Sequence, residues 1–396
     1  MSKKKKDKLR IAQLHWGFPP TIGGVETHLS VMLPEFVRLG HKTFLLTGSF
    51  DGESAKSNYK GVEVIRSPLM DLNWLYHRGL EKLDDSISKE YEEFLGHANP
   101  DIVHVHNMHY FSKPHAVILQ EICSRRGVPL VLTAHNSWDD ILFVDVTTHI
   151  KWTRTIAVSH FIKKELVGTG FDDQNITVVH HGIDLDIFKP NSKLGPTYEK
   201  HPQLKGRKVI FHPARMGMGK GCDISIKAMR MIKEQFPDAL LVLAGTKNII
   251  DWGATQQREI AYFVDLVKLF HLQNHCYINS FSLEEMPGLY NAADVIIYPS
   301  SAPEPFGLAM LESMATAKPI IVTKVGGMPE VIQDRINGHV IPRRDFDVLA
   351  SRTIELLGNP RLRKRFGTTG RQIAQSQYTK EIMTKNTLAV YQQVLG

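Results

Sequence analysis

The residues best equipped for chemistry lie in one short stretch, Pro299–Glu312, which reads P-S-S-A-P-E-P-F-G-L-A-M-L-E. It holds two carboxylates, Glu304 and Glu312, and follows an apolar run, Val295–Tyr298, with the pattern of a buried parallel strand. In open α/β sheets, ligands sit outside the carboxyl ends of strands. Helix N–H groups and the positive dipole end favour an anionic or hydroxyl-rich partner there. The stretch is therefore expected to hold the sugar end of a nucleotide sugar. Eight residues along a helix separate the two glutamates by about 12 Å, so they are not expected to converge on one anomeric carbon. Glycoside hydrolysis needs carboxylates roughly 5 Å or roughly 6.5–9.5 Å apart. Contacts at separate points along an elongated ligand fit better than an acid/base dyad.

A second constellation is R-M-G-M-G-K-G, Arg215–Gly221. Two cations in a Gly-rich loop ahead of a helix suit a diphosphate, Arg by its fork and Lys as a point charge. The bland alternative is a solvated basic loop. The spacing is not that of a nucleoside-triphosphatase loop, and no Ser/Thr follows Lys220. Gly23-Gly24 opens the first helix, where glycine lets backbone N–H groups approach a phosphate, or simply turns the chain. Glu26 either accepts from a substrate hydroxyl or favours the helix dipole. His135 and His106 end predicted strands and so point towards a ligand crevice. Asp139 and Asp140 would bind sugar hydroxyls or an amine if they are not simply solvated.

The positioning elements alternate. Strands are predicted at Ile11–Trp16, Thr43–Thr47, Val62–Ile65, Ile102–Val105, Leu130–Thr133, Ile156–Ser159 and Ile176–Val179. After residues 183–205, which lose the rhythm and read as a linker, strands follow at Val209–Phe211, Leu240–Ala244, Tyr277–Ser280, Val295–Tyr298 and Ile320–Thr323. Helices are predicted between them, among them Leu80–Leu95, His115–Arg125, Asp223–Gln235 and Glu259–Phe270. Ser282 and Glu285 form a capping-box pair, and Asp345 is a helix N-cap. The grammar is that of βαβ units and mostly parallel sheets.

The chain has 396 residues, enough for two or three domains. Its three cysteines, Cys123, Cys222 and Cys276, are scattered, which fits a reducing compartment and argues against a zinc site. No apolar run reaches the roughly 18–20 residues that span a bilayer, and no apolar segment follows Lys3–Lys6 as a secretory signal requires. A cytoplasmic protein is expected, with a place at the inner face of the membrane as the alternative. Net charge is +7 and the pI about 9.1, which suits phosphate-rich ligands or an anionic membrane surface. Nucleic acid as a partner would rest on charge alone and is not expected.

Taken together, E-P-F-G-L-A-M-L-E (Glu304–Glu312), G-G-V-E (Gly23–Glu26), R-M-G-M-G-K-G (Arg215–Gly221) and V-G-G-M-P-E-V-I (Val325–Ile332) resemble glycosyltransferase family 4, of GT-B fold. G-H-K-T-F-L-L-T, H-G-I-D-L-D-I-F-K-P and Tyr391 extend the likeness. Pro34 inside the first helix, and a long apolar loop at Lys247–Gln256, depart from the pattern.

The resemblance implies two facing Rossmann-like doubly wound domains with a cleft between them. Residues 1–9 would be a disordered basic tail and 10–187 an acceptor-binding domain. Residues 188–378 would be a nucleotide-sugar domain, and the helix 379–396 would pack back on the first. It implies retaining transfer of a hexose-type sugar from a nucleoside-diphosphate sugar, UDP first, without an essential metal or cofactor. The acceptor would be a hydroxyl of a glycan, a lipid-linked glycan or a small molecule.

By the same resemblance, Glu304 would contact the donor sugar, with the amides of Phe306, Gly307 and Leu308 on the sugar and distal phosphate, and Glu312 would bind the ribose. Arg215 and Lys220 would neutralise the departing diphosphate, helped by Gly23 and Gly24. Phe281, Met286 and Leu289 would seat the base. His135 would reach the reacting sugar, with His106, Asp139 and Asp140 on the acceptor side. A sugar-nucleotide epimerase and a catalytically silent binding module are the alternatives.

Overall fold

The computed structural model describes residues 8–137, 144–146, 149–245 and 254–396. The chain forms two compact units, one running to Gly182 and resuming at Lys380–Gly396, the other Ile183–Thr379. Residues 183–187, expected in the N-terminal domain, go with the second unit. There Ile183 bridges Thr379, and its N–H donates to the Tyr378 carbonyl at 2.8 Å. Asp139, Asp140, most of the Lys247–Gln256 loop and the Lys3–Lys6 run lie outside the described residues.

The first unit is built on β1 (Arg10–Leu14), β2 (Lys42–Gly48), β3 (Lys56–Tyr59), β4 (Val62–Ser67), β5 (Ile102–His106), β6 (Leu130–Ala134), β7 (Arg154–Ala157) and β8 (Ile176–Val178). Their spatial order is β3-β4-β2-β1-β5-β6-β7-β8. Every pairing is parallel except β3 with β4. β3 was not expected. Its polar K-S-N-Y sequence carries no apolar signal, and it is held as an edge hairpin by the turn at Lys60 and Gly61, both at positive φ (50° and 90°). Along β1 the side chains alternate between faces: Ile11 joins one apolar cluster, Ala12 and Leu14 the other. Burial of such side chains, about 1.5–3 kcal/mol each, drives the sheet's assembly.

The first helix, Gly24–Arg38, buries Leu29, Met32, Leu33 and Phe36. It runs on through Pro34, which sits on a partly exposed flank and deprives the Ser30 carbonyl of its ordinary donor. The helix expected over Leu80–Leu95 is Asp84–Ala98, and a further helix, Leu72–Arg78, precedes it. Asp71 caps Leu72–Arg78 by accepting from the N–H groups of Asn73 and Trp74, Gly79 at φ 78° ends it, and Asp84–Ala98 follows. The last helix, Lys380–Leu395, lends Met383, Val390 and Tyr391 to the core of the first unit.

The second unit holds β9 (Lys208–His212), β10 (Ala239–Gly245), β11 (Cys276–Ser280), β12 (Val295–Tyr298), β13 (Ile320–Thr323) and β14 (Gly338–Ile341). Their order is β11-β10-β9-β12-β13-β14, all parallel. Asp345 caps the helix Phe346–Gly358 by accepting from Val348 N–H at 2.9 Å, and Glu285 accepts from Ser282 N–H at 2.8 Å ahead of the helix Met286–Ala292. The expected linker carries a short helix, Gly195–Lys200. The helix Pro360–Gln377 was not expected. Gly367 is there for packing, since a Cβ would occupy the place of the Ala317 carbonyl oxygen. Among the described residues no helix is long and apolar enough to cross a membrane.

Tyr391 ties the last helix to the sheet of the first unit. Its hydroxyl accepts from Gln13 Nε2 at 3.0 Å and lies 2.6 Å from His104 Nδ1, and all three residues are buried. Tyr391→Phe strands both partners without water, so we expect a loss of about 1–3 kcal/mol in urea unfolding, with secondary structure unchanged by circular dichroism.

Candidate functional site

In each sheet the strand order reverses once beside the first strand of its unit, at β1/β5 and at β9/β12. The loops leaving these strands diverge, which opens a crevice at the carboxyl end. The candidate residues gather at these two places.

In the second unit the loop after β9 carries Arg215 and ends in a tight turn at Met218–Lys220. Gly221 (φ 76°) lets that turn lie against Pro299 after β12, since any Cβ would overlap the Pro299 carbonyl. The two loops are stitched together: Ser301 and Ala302 N–H both donate to the Gly219 carbonyl, at 2.9 and 3.0 Å. This brings Lys220 Nζ within 2.5 Å of Glu304 Oε1 and 3.3 Å of the Tyr298 hydroxyl. Ser300 Oγ donates to the same Glu304 oxygen at 3.0 Å. Burial acts to lower the Lys220 pKa, but the Glu304 carboxylate and Tyr298 outweigh it and hold the ammonium above its ordinary range. Arg215, by contrast, is exposed and has no side-chain hydrogen bond or ion pair among the described residues.

Glu304 is not helical. The helix after it is Leu308–Ala315, so the uninterrupted helical rise of about 12 Å to Glu312 does not apply. Glu304 is instead fixed from outside its own loop: Gly327 N–H donates to its carbonyl at 2.8 Å, and Gly326 (φ 55°) leaves room for its backbone. Glu312 sits in the second turn of the helix and accepts from the Tyr290 hydroxyl at 2.6 Å. Burial pushes its carboxyl up to about 7, against the Tyr290 bond that holds it down. Phe306 is buried against Tyr378, Gly307 adopts φ 90°, and Leu308 is the first helical residue. Of the three expected base contacts, Phe281 is buried edge-on to His201 and Tyr277, and Leu289 is buried. Met286, partly exposed, opens its helix.

In the first unit Gly23 is extended and Gly24 starts the first helix with open space where a Cβ would be. Glu26 is not at a solvated helix end. It is buried, with Oε1 3.2 Å from His15 Nε2. His106, ending β5, places Nε2 2.8 Å from Gln13 Oε1 and Nδ1 2.9 Å from Nε2 of His135, which follows β6. The backbone N–H of His135 donates to Asn107 Oδ1 at 2.7 Å. His28 Nδ1 lies 2.7 Å from His181 Nδ1, and the His135 and His181 rings stack with centroids 5.1 Å apart. Burial, then the neighbouring imidazoles, pushes His28, His106 and His135 far below the ordinary range, so each is neutral at pH 7. His135 is thus a lone-pair or N–H group rather than a cation.

Sequence reasoning missed Tyr290, Tyr298, Ser300, Gln13, His28 and His181. Gln13 alone carried a signal, a polar residue within an apolar strand.

The geometry agrees with the comparisons. Residues 22–187 match the model described as Glycosyltransferase Family 4, and residues 197–373 that of Glycosyl transferases group 1. The fold is GT-B, and the chain belongs to glycosyltransferase family 4. It is 29% identical to the putative glycosyltransferase YtcC of Bacillus subtilis over 73% of this chain and 72% of that one. It is 22% identical to the GDP-mannose-dependent alpha-(1-6)-phosphatidylinositol monomannoside mannosyltransferase of Mycolicibacterium smegmatis, over 90% of this chain and 91% of that one. The Anabaena HepE structure in complex with UDP-glucose shares its fold, with a TM-score of 0.78 at 18% identity over 97% of this chain and 100% of that one.

Gly326 is the clearest structural dependency of the site. Gly326→Ala adds left-handed backbone strain and a clash with Glu304, so we expect at least about 2 kcal/mol of destabilisation. A lower melting temperature together with weakened nucleoside-diphosphate binding in calorimetry would check it.

Proposed function

We propose that this glycosyltransferase is a retaining, metal-independent enzyme that moves a hexose-type sugar from a nucleoside-diphosphate sugar to an acceptor hydroxyl. The observation that carries the reading is the Lys220–Glu304 contact at 2.5 Å, with the exposed Arg215 on the same loop. An ammonium has three donors, and with two on Glu304 and Tyr298 Lys220 keeps one for a diphosphate oxygen while it holds Glu304 in place. Arg215 adds a forked donor to the same charge. Glu304 then accepts from sugar hydroxyls, the N–H groups at Phe306–Leu308 face the sugar and distal phosphate, and Glu312 accepts from the ribose.

In the reaction the bond from C1 to the diphosphate oxygen breaks. The acceptor oxygen bonds to C1 on the same face, and its proton passes to the departing phosphate oxygen. The chain supplies position and charge, with Arg215 and Lys220 taking the electrostatic part a metal plays elsewhere. His135 and His106, on the first unit, would serve the reacting sugar and the acceptor.

UDP is our first choice of nucleotide. HepE was solved with UDP-glucose, whereas the mycobacterial relative is named for GDP-mannose, so UDP, GDP and ADP are to be titrated side by side. For the acceptor we propose a glycan or lipid-linked glycan. The Lys3–Lys6 run would support contact with an anionic leaflet of the cytoplasmic face.

Arg215→Ala should lower kcat by about 100- to 1,000-fold with no change in thermal stability, because the side chain is exposed and has no partner among the described residues. Glu304→Gln should do the same to turnover while the chain stays folded. Steady-state transfer or donor hydrolysis with EDTA present reads both, and near-normal rates would sink the assignment. A product with an altered donor sugar and no acceptor added would mark an epimerase instead.

Glu312 supplies a pH test. With its carboxyl at about 7, it is largely protonated below that pH and becomes a full acceptor above it. Nucleoside-diphosphate affinity should therefore rise between about pH 6 and about pH 8, and Glu312→Gln should flatten the profile. Calorimetric titration across that window checks both.

A further inference from the structure

The first unit holds a feature that the donor site does not account for: a buried nest of imidazoles. His28 from the first helix, His106 from the end of β5 and His135 from beyond β6 bring one ring nitrogen each to within 4.8 Å of one another, and all three are buried. We propose that His28, His106 and His135 form a binding site for a late first-row divalent cation, Zn2+ above all, with His181 orienting His28.

The remaining ring nitrogens support this reading. His106 Nε2 is held by Gln13 Oε1 at 2.8 Å, which leaves Nδ1 to face the nest. His28 Nδ1 is held by His181 at 2.7 Å, which leaves Nε2. Partners of this kind on the far nitrogen are what fix the tautomer and ring orientation of metal-bound histidines. His135 provides the independent observation. Its Nδ1 is buried and has no hydrogen-bond partner among the described residues, so the ring holds an unspent proton or lone pair.

The donor set also selects the ligand. Neutral imidazoles suit Zn2+, Cu2+ or Ni2+ and not the oxygen-seeking Mg2+ or Ca2+. Zinc–nitrogen bonds of about 2.0–2.1 Å set tetrahedral ligand nitrogens about 3.3–3.4 Å apart, so the His106–His135 contact of 2.9 Å must open slightly while the His28 nitrogen, within 4.8 Å, moves in. Glu26, joined to His15 at 3.2 Å, is the nearby buried carboxylate that offsets part of the added charge. The scattered cysteines exclude a thiolate site, not an imidazole one.

The cation is not required for transfer. It occupies the imidazoles assigned to the acceptor side, so it should act as an inhibitor; this consequence alone rests on the proposed function.

The test uses the untagged full chain freed of metal with EDTA and then dialysed. Calorimetry should show one equivalent of Zn2+ bound. At about 100-fold excess over Kd, the melting temperature should rise by roughly 5 °C. Mg2+ should give no shift. Co2+ in place of Zn2+ should give the visible absorption of a low-coordinate nitrogen site. His28→Gln should weaken Zn2+ binding at least about tenfold, and His135→Gln likewise.

Unchanged binding in both variants would assign the metal to surface histidines and overturn the site. So would an octahedral Co2+ spectrum, or no binding at all. If a variant misfolds, the Co2+ spectrum of the wild type decides alone. None of these readouts needs turnover, so a failed transferase assignment leaves the site standing, and a failed site leaves the transferase standing.

Discussion

The candidate donor site depends on one ammonium–carboxylate contact, Lys220 to Glu304, made across two loops that leave neighbouring strands. Such a pair is a weak source of stability, because withdrawing two charges from water offsets most of their attraction. Its value lies in placement. The backbone around it has no slack: Gly221 lies against the Pro299 carbonyl, Gly326 against the Glu304 backbone, and the Gly219 carbonyl accepts two N–H groups from the opposite loop. Each close approach removes a freedom that the charged pair would otherwise have to suppress. On the proposed function, Lys220 would then act on a leaving group without reorganising, which is what electrostatic catalysis requires.

The two units use the same topological device for different chemistry. In the second, the reversal at β9/β12 gathers charge: an ammonium, a guanidinium and two carboxylates, one of them poised near neutrality. In the first, the reversal at β1/β5 gathers neutral nitrogen, in imidazoles that burial keeps unprotonated. One surface is suited to holding a polyanion. The other is suited to hydrogen-bonding an uncharged hydroxyl or ligating a soft cation.

How much of this was legible in the sequence depended on whether the signal was local. Apolar runs such as Val295–Tyr298 and Ile320–Thr323 marked nearly every central strand, because a strand buried on both faces is mostly apolar. β3 and β14 were missed as short edge strands, and the helix Pro360–Gln377 was missed as well. Arg215, Lys220, Glu304 and Glu312 stood out through spacing and motif. Their partners did not: Tyr298 is 78 positions from Lys220, Tyr290 is 22 from Glu312, and Tyr391 is 287 from His104. No local pattern encodes such meetings. The separation of the two glutamates was misread for a related reason, since a Pro-flanked segment was counted as helix.

The course of the chain through its two units also bears on how it is made. Met383, Val390 and Tyr391 complete an apolar cluster whose other members, from Leu9 to Val179, are synthesised first. At about 5–20 residues per second, roughly 200 residues of the second unit emerge over about 10–40 s while that face of the first sheet lies open. The second unit is contiguous in sequence and can finish on its own. The first must wait for the final helix to bring the Tyr391 hydroxyl to Gln13 Nε2 and His104 Nδ1. A truncation near the C-terminus would therefore strike the unit made earliest, and a nascent-chain chaperone would meet this protein through its N-terminal half.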